Sequence, residues 1–255
     1  MAELKFSAAD WCFFHSAGLA AEEYYTRCAE MGITGMEMVP EENLPVAKAA
    51  GLRIVTECSD GMYDGLNEPK YHDAIIPVIR EQIARCAKLG IEQLILFSGA
   101  KRELTDAEGI ANCITSIKQF IGEAEAANVM LTFETLSRAD HTDYHCNTGE
   151  FAFEVIRGVG SPNLKALYDI YHMAKDGEDV LDVLVPNLDL VSHLHVAGME
   201  GRAFPVDGGP IDYKSIVQAV AAAGYDGCWG MEFMPDDNPV DQLQQSVELF
   251  RSYLN

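Results

Sequence analysis

Four short stretches in the second half of the chain each set an ionisable side chain among apolar neighbours: Phe133-Glu134-Thr135, Tyr168-Asp169-Ile170, His193-Leu194-His195 and Met231-Glu232-Phe233. A carboxylate removed from water without a partner costs several kcal/mol, so three of them gathered with an imidazole require a compensating positive charge. A divalent cation supplies it compactly. Three oxygen donors and one ring nitrogen suit Mn²⁺ or Mg²⁺, and also Co²⁺ or Zn²⁺, better than an ion that selects thiolates. An ion so held polarises a carbonyl and stabilises the enediolate formed when the proton leaves the adjacent carbon. Glu134 and Glu232, on well-separated strands, then serve as proton acceptor and donor. A lone strand-end acid is more often a loop cap or an ion-pair partner, and a lone histidine more often a core residue. Recurrence at the same place in four successive elements favours the metal. His193 and His195 share a strand face, so spacing leaves open which of them binds.

The elements that must position these groups follow from hydrophobic period. Runs rich in β-branched and aromatic residues at 4–10, 35–40, 53–59, 93–99, 129–135, 164–171, 191–198 and 228–235 read as strands, and a stretch of helical period follows each. One helix is expected from about 105 to 128, another from Asn147 or Thr148, either of which can cap it. Pro186 should shorten or kink the helix before the seventh strand. Eight strand–helix units in about 250 residues are the arithmetic of a (β/α)₈ TIM barrel. With no break in composition, residues 1–255 read as a single domain. In such a barrel the active site lies at the C-terminal ends of the strands, where the four candidate groups fall. Glu37 and Glu57 end the second and third strands and read as polar lining or as structural ion pairs. Trp11, Phe13 and Phe14 follow the first strand as an apolar wall, for packing or for substrate contact, and His15, His72 and His141 read as loop or surface residues.

Composition narrows the partners. The chain has 18 Lys and Arg against 40 Asp and Glu, a formal net charge of −22. Without a basic patch, such a surface repels nucleic acid and anionic membrane. Seven widely spread cysteines with no C-x-x-C pair read as reduced, mostly buried thiols. The first ten residues lack the pattern of a signal peptide and no run is long enough to span a bilayer, so a cytoplasmic protein is expected. No dinucleotide fingerprint, P-loop or nucleophile elbow is present.

Several pieces resemble the sugar phosphate isomerase/epimerase superfamily with the xylose isomerase-like barrel, and within it the hydroxypyruvate isomerase family. They are the Glu134 strand end, Y-D-I-Y-H-M (168–173), H-L-H-V-A-G-M-E-G-R (193–202), Gly208-Gly209-Pro210-Ile211-Asp212-Tyr213, and G-Y-D-G-C-W-G-M-E-F-M-P (224–235). The resemblance implies that Glu134, Asp169, His195 and Glu232 are the metal ligands, and that His172 and Arg202 contact substrate. It further implies a metal-dependent isomerase of a small hydroxy-keto acid or sugar, working as a dimer or tetramer. Hydroxypyruvate isomerases tend to carry Gln in place of His195, whereas ketose 3-epimerases carry His. A ketose 3-epimerase is therefore the first alternative, and a lyase on the same barrel the second, either a polyol dehydratase or an enzyme cleaving 3-oxo-C-glycosides. A non-catalytic accessory barrel is disfavoured by the complete ligand set. An endonuclease-like hydrolase is disfavoured by the lack of a His-rich zinc cluster and a basic face.

Overall fold

The expected alternation forms eight strands closed into a barrel in chain order, with helices between them, a (β/α)₈ TIM barrel. The structure is a computed structural model and describes residues 3–254. The strands are Lys5–Ala9 (β1), Ile33–Glu37 (β2), Arg53–Cys58 (β3), Ile91–Leu96 (β4), Met130–Glu134 (β5), Leu164–Asp169 (β6), Val191–Val196 (β7) and Cys228–Met231 (β8). Their residues are buried almost throughout, as parallel strands covered by helices must be.

The chain packs as two compact units. The first comprises the residues up to Val55, Val180–Leu188 and those from His193 on. Within it β1 pairs in parallel with β2 and β8, and β7 with β8, placing Ala9 opposite Glu37 and His195 opposite Gly230. Its core is aromatic, with Phe250 in ring contact with Trp229 at 5.7 Å and with Tyr213 at 5.1 Å. The second unit comprises Thr56–Asp179 and Asp189–Ser192. There β5 pairs in parallel with β4 and β6, and the Phe153 and Tyr168 rings stack with centroids 6.3 Å apart.

Some helices begin where a side chain satisfies one of their first amides. Thr148 caps Gly149–Val159 by accepting from Phe151 N, and Thr105 forms a capping box with Glu108 at the start of Asp106–Ile117. The helix expected over 105–128 is two helices, Asp106–Ile117 and Ile121–Ala127. Phe120 separates them by leaving the helical basin (φ −133°, ψ −6°), and its ring is buried. Pro186 acts as expected: Val180–Leu184 stops short and tightens into a 3₁₀ stretch with non-helical Asn187. A helix that the sequence did not announce, Asp10–Ala17, follows β1 directly. All seven cysteines are free thiols, six buried and Cys58 half-buried. No helix among the described residues is long and apolar enough to cross a membrane.

Candidate active site

The sequence places ionisable residues at strand ends, and the structure seats them there. Glu37 is the last residue of β2, Glu134 of β5 and Asp169 of β6. His195 is the penultimate residue of β7, and Glu232 follows β8 directly. One donor atom from each of Glu134, Asp169, His195 and Glu232 lies within 4.8 Å of the others, and all four side chains are buried. Donors bonded at 2.0–2.3 Å to one ion stand at most about 4.6 Å apart, so the donor set fits a single divalent cation with little adjustment. The His195 ring reinforces that fit. Its Nδ1 stands 2.8 Å from Glu232 Oε2, and its Nε2 stands 3.0 Å from Glu37 Oε2, an imidazole between two carboxylates.

Glu232 is held from several sides. Trp11 Nε1 donates to its Oε1 at 3.1 Å, the Arg202 guanidinium pairs with its Oε2, and Arg202 Nε donates to its backbone oxygen at 3.2 Å. Arg202 also lies over the Trp11 ring, 5.6 Å from the centroid, where cation–π attraction adds to the pairing. Burial pushes the Glu232 carboxyl up, but the facing His195 ring and Arg202 guanidinium outweigh it and hold the group below the usual carboxylate range. Glu232 is therefore a carboxylate at neutral pH.

Asp169 opens the short helix Ile170–Lys175 as its N-cap, with one oxygen accepting from the amide of His172 at 3.0 Å. This fixes the direction of both side chains. His172 Nε2 comes within 3.7 Å of Asp169 Oδ2, while Nδ1 bonds the Ser137 hydroxyl at 2.9 Å. The His141 ring packs edge-on against His172, with centroids 5.2 Å apart, so this residue belongs beside His172 and not merely on the surface.

The remaining candidates differ in their surroundings. Glu57 goes to Arg85 at 2.8 Å, a structural ion pair. Glu37 is fully buried and faces both His193 and His195 at 3.0 Å. Phe13 does form apolar wall, edge-on to Phe233 at 4.9 Å, but Trp11 offers its indole N–H to Glu232. Sequence reasoning missed this contact and the one between Ser137 and His172. Trp11 stands two residues beyond β1, where an aromatic donor at a strand end was the available clue.

A TIM barrel with ionisable groups gathered at its C-terminal strand ends has the architecture of an enzyme. The chain belongs to the xylose isomerase-like TIM barrel family, whose model matches residues 25–253. It is similar to the hydroxypyruvate isomerase of Escherichia coli K12, at 26% identity over 195 residues that cover 76% of this chain and 71% of that one. It is also similar to a ketose 3-epimerase of Arthrobacter globiformis, at 22% identity over 223 residues covering 86% and 74%. Among solved structures, the family 2 AP endonuclease of Brucella melitensis shares the fold, with a TM-score of 0.83 and 18% identity over 94% of this chain and 97% of that one. With isomerases and epimerases as its relatives, the protein is an isomerase-class enzyme.

Proposed function

We propose that the protein is a divalent-metal-dependent isomerase of a small hydroxy-keto acid or sugar, of the hydroxypyruvate isomerase type. The observation that carries this reading is the buried group of Glu134, Asp169, His195 and Glu232, four donors within 4.8 Å of one another. Such a group is costly to bury unless a cation joins it. When bound, a Mn²⁺ or Mg²⁺ ion supplies the positive charge that polarises an α-hydroxycarbonyl and offsets the negative charge of its enediolate.

The side chains do the rest. Glu134 takes the α-proton, Glu232, ionised at the start, takes up the hydroxyl proton and delivers it to the neighbouring carbon, and Glu134 gives its proton to the former carbonyl oxygen, which exchanges the positions of carbonyl and hydroxyl and leaves both carboxylates as they began. Trp11 and Arg202 keep Glu232 ionised and aimed. His172, held through Nδ1 by Ser137, hydrogen-bonds a substrate oxygen through Nε2. Arg202 is half-buried and bears on the substrate through Glu232 as well as through any oxygen that reaches its guanidinium. The similarity to a ketose 3-epimerase supports a second outcome of the same proton abstraction, return of the proton to the opposite face of the same carbon.

The test is NMR in D₂O with Mn²⁺ removed before acquisition, using hydroxypyruvate, tetronates, ketopentoses and ketohexoses as substrates. Deuterium incorporation reports enolisation, and the product reports where the proton goes. Glu134→Gln and Glu232→Gln should each lower exchange by at least about 10²-fold, the usual contribution of a general acid or base. Full activity in either variant contradicts the assigned pair.

A further inference from the structure

The ring of His195 has two nitrogens, and the fold commits one of them before any ion arrives. We infer that Glu37 is a positioning residue: by accepting the Nε2 proton of His195, with the His193 ring facing its other oxygen, it makes Nδ1 the nitrogen turned toward Glu134, Asp169 and Glu232. This rests on the proposed reading that His195 is a metal ligand.

Three observations carry it. First, the Glu37 carboxylate bridges two imidazoles, with Oε2 3.0 Å from His195 Nε2 and Oε1 3.0 Å from His193 Nε2, and all three side chains are essentially inaccessible to water. A carboxylate so enclosed is tolerable only if it accepts such protons. Second, a neutral imidazole has one N–H and one lone pair, and the acceptor of the N–H decides which nitrogen is left to bind. With Nε2 committed to Glu37, the lone pair falls on Nδ1, 2.8 Å from Glu232 Oε2.

Third, the chain makes room for this arrangement. Gly230 pairs with His195 across β7 and β8. A Cβ there would stand 2.5 Å from Glu37 Oε1, 2.7 Å from His193 Nε2 and 2.7 Å from His195 Cδ2, closer than real Cβ atoms come. The space of one side chain is thus given to the Glu37–His193–His195 contact. Met38, directly after Glu37, takes the left-handed conformation (φ 52°) that non-glycine residues rarely adopt, a local strain at the residue that turns the chain away from the contact. Glu37, His193 and His195 also offer three atoms close enough for an ion of their own. Such an ion would need the same Nε2 of His195 that the Glu37 contact uses, so the two arrangements exclude each other.

The experiment is ¹⁵N NMR of histidine-labelled protein loaded with Zn²⁺, a diamagnetic probe, together with titration of Mn²⁺ binding. The expected result is one equivalent of ion, with His195 protonated on Nε2 and the metal-induced shift on Nδ1. Glu37→Gln should weaken Mn²⁺ binding about 10- to 100-fold, the usual effect of losing the acceptor behind a ligating histidine. Gly230→Ala should weaken it in the same direction without removing any polar group. Protonation of His195 on Nδ1, a second equivalent of ion, or unchanged affinity in Glu37→Gln overturns the inference. A wild-type protein that takes up no divalent ion overturns the proposed function instead. The tautomer is then read in the metal-free protein above its imidazolium titration, where Nε2–H supports the role of Glu37 and Nδ1–H ends it.

Discussion

Glu232 shows how much of the site is decided by single contacts. Its two oxygens are claimed by the Trp11 indole and the Arg202 guanidinium, each from a segment that follows a strand end. Trp11→Phe keeps an aromatic ring beside Arg202 but removes the indole N–H that Glu232 accepts. Hydrogen bonds to charged groups contribute about 1.5–3 kcal/mol, so turnover should fall by about 10-fold or more, with thermal stability little changed because the side chain is 45% exposed. Unchanged turnover would show that Trp11 has no part in the reaction. The strand-end acids were legible because each interrupts an apolar run, which gives an ionisable group no ordinary reason to be there. The contacts of Glu37, Trp11 and Ser137 were not legible, because their partners lie 158, 221 and 35 positions away and only the fold brings them together.

Asp10, the residue before Trp11, offers a second test at this scale. Burial raises its carboxyl to about 7 from an ordinary 3.8, against a lesser downward influence from the Tyr25 hydroxyl. Between those values the folded protein keeps a proton that the unfolded chain has lost, so stability falls as pH rises through that window. The whole loss is at most about 4 kcal/mol. Asp10→Asn removes the slope and should be the more stable form at pH 8, as read by denaturant unfolding across pH. Parallel stability profiles for the two proteins would contradict this.

At the scale of elements, strand ends carry the ionisable groups, and some helices start where a side chain caps them. Thr148 is exposed and its hydroxyl accepts from Phe151 N at 3.2 Å, so Thr148→Ala should cost about 1 kcal/mol of stability and leave the exchange reaction as it was. A loss of activity matching the loss of stability would show that Gly149–Val159 bears on the site. Strand existence, the Thr148 cap and the effect of Pro186 were readable because each follows from local period or backbone chemistry. Asp10–Ala17 was not, since its sequence DWCFFHSA is dense in aromatic residues and shows little helical amphipathicity. The break at Phe120 was equally hidden. No proline or glycine marks it, only a ring that packs better out of the helical path.

For the whole molecule, the net charge of −22 acts in two places. Most carboxylates form a solvated surface that disfavours polyanions. A few are buried at strand ends, where their own repulsion argues for a cation. The closed barrel was legible from the count of eight units alone, and the substrate was not, because it depends on the lengths and tilts of loops that hydrophobic period does not encode. Dependence of proton abstraction on a bound ion is tested by deuterium incorporation from D₂O into hydroxypyruvate or a short ketose by chelator-treated protein, before and after one equivalent of Mn²⁺. Exchange should be absent without the ion, appear with it, and vanish again in Glu134→Gln. Equal exchange in the presence of excess chelator would mean that the strand-end carboxylates work without a cation, against the function proposed for them.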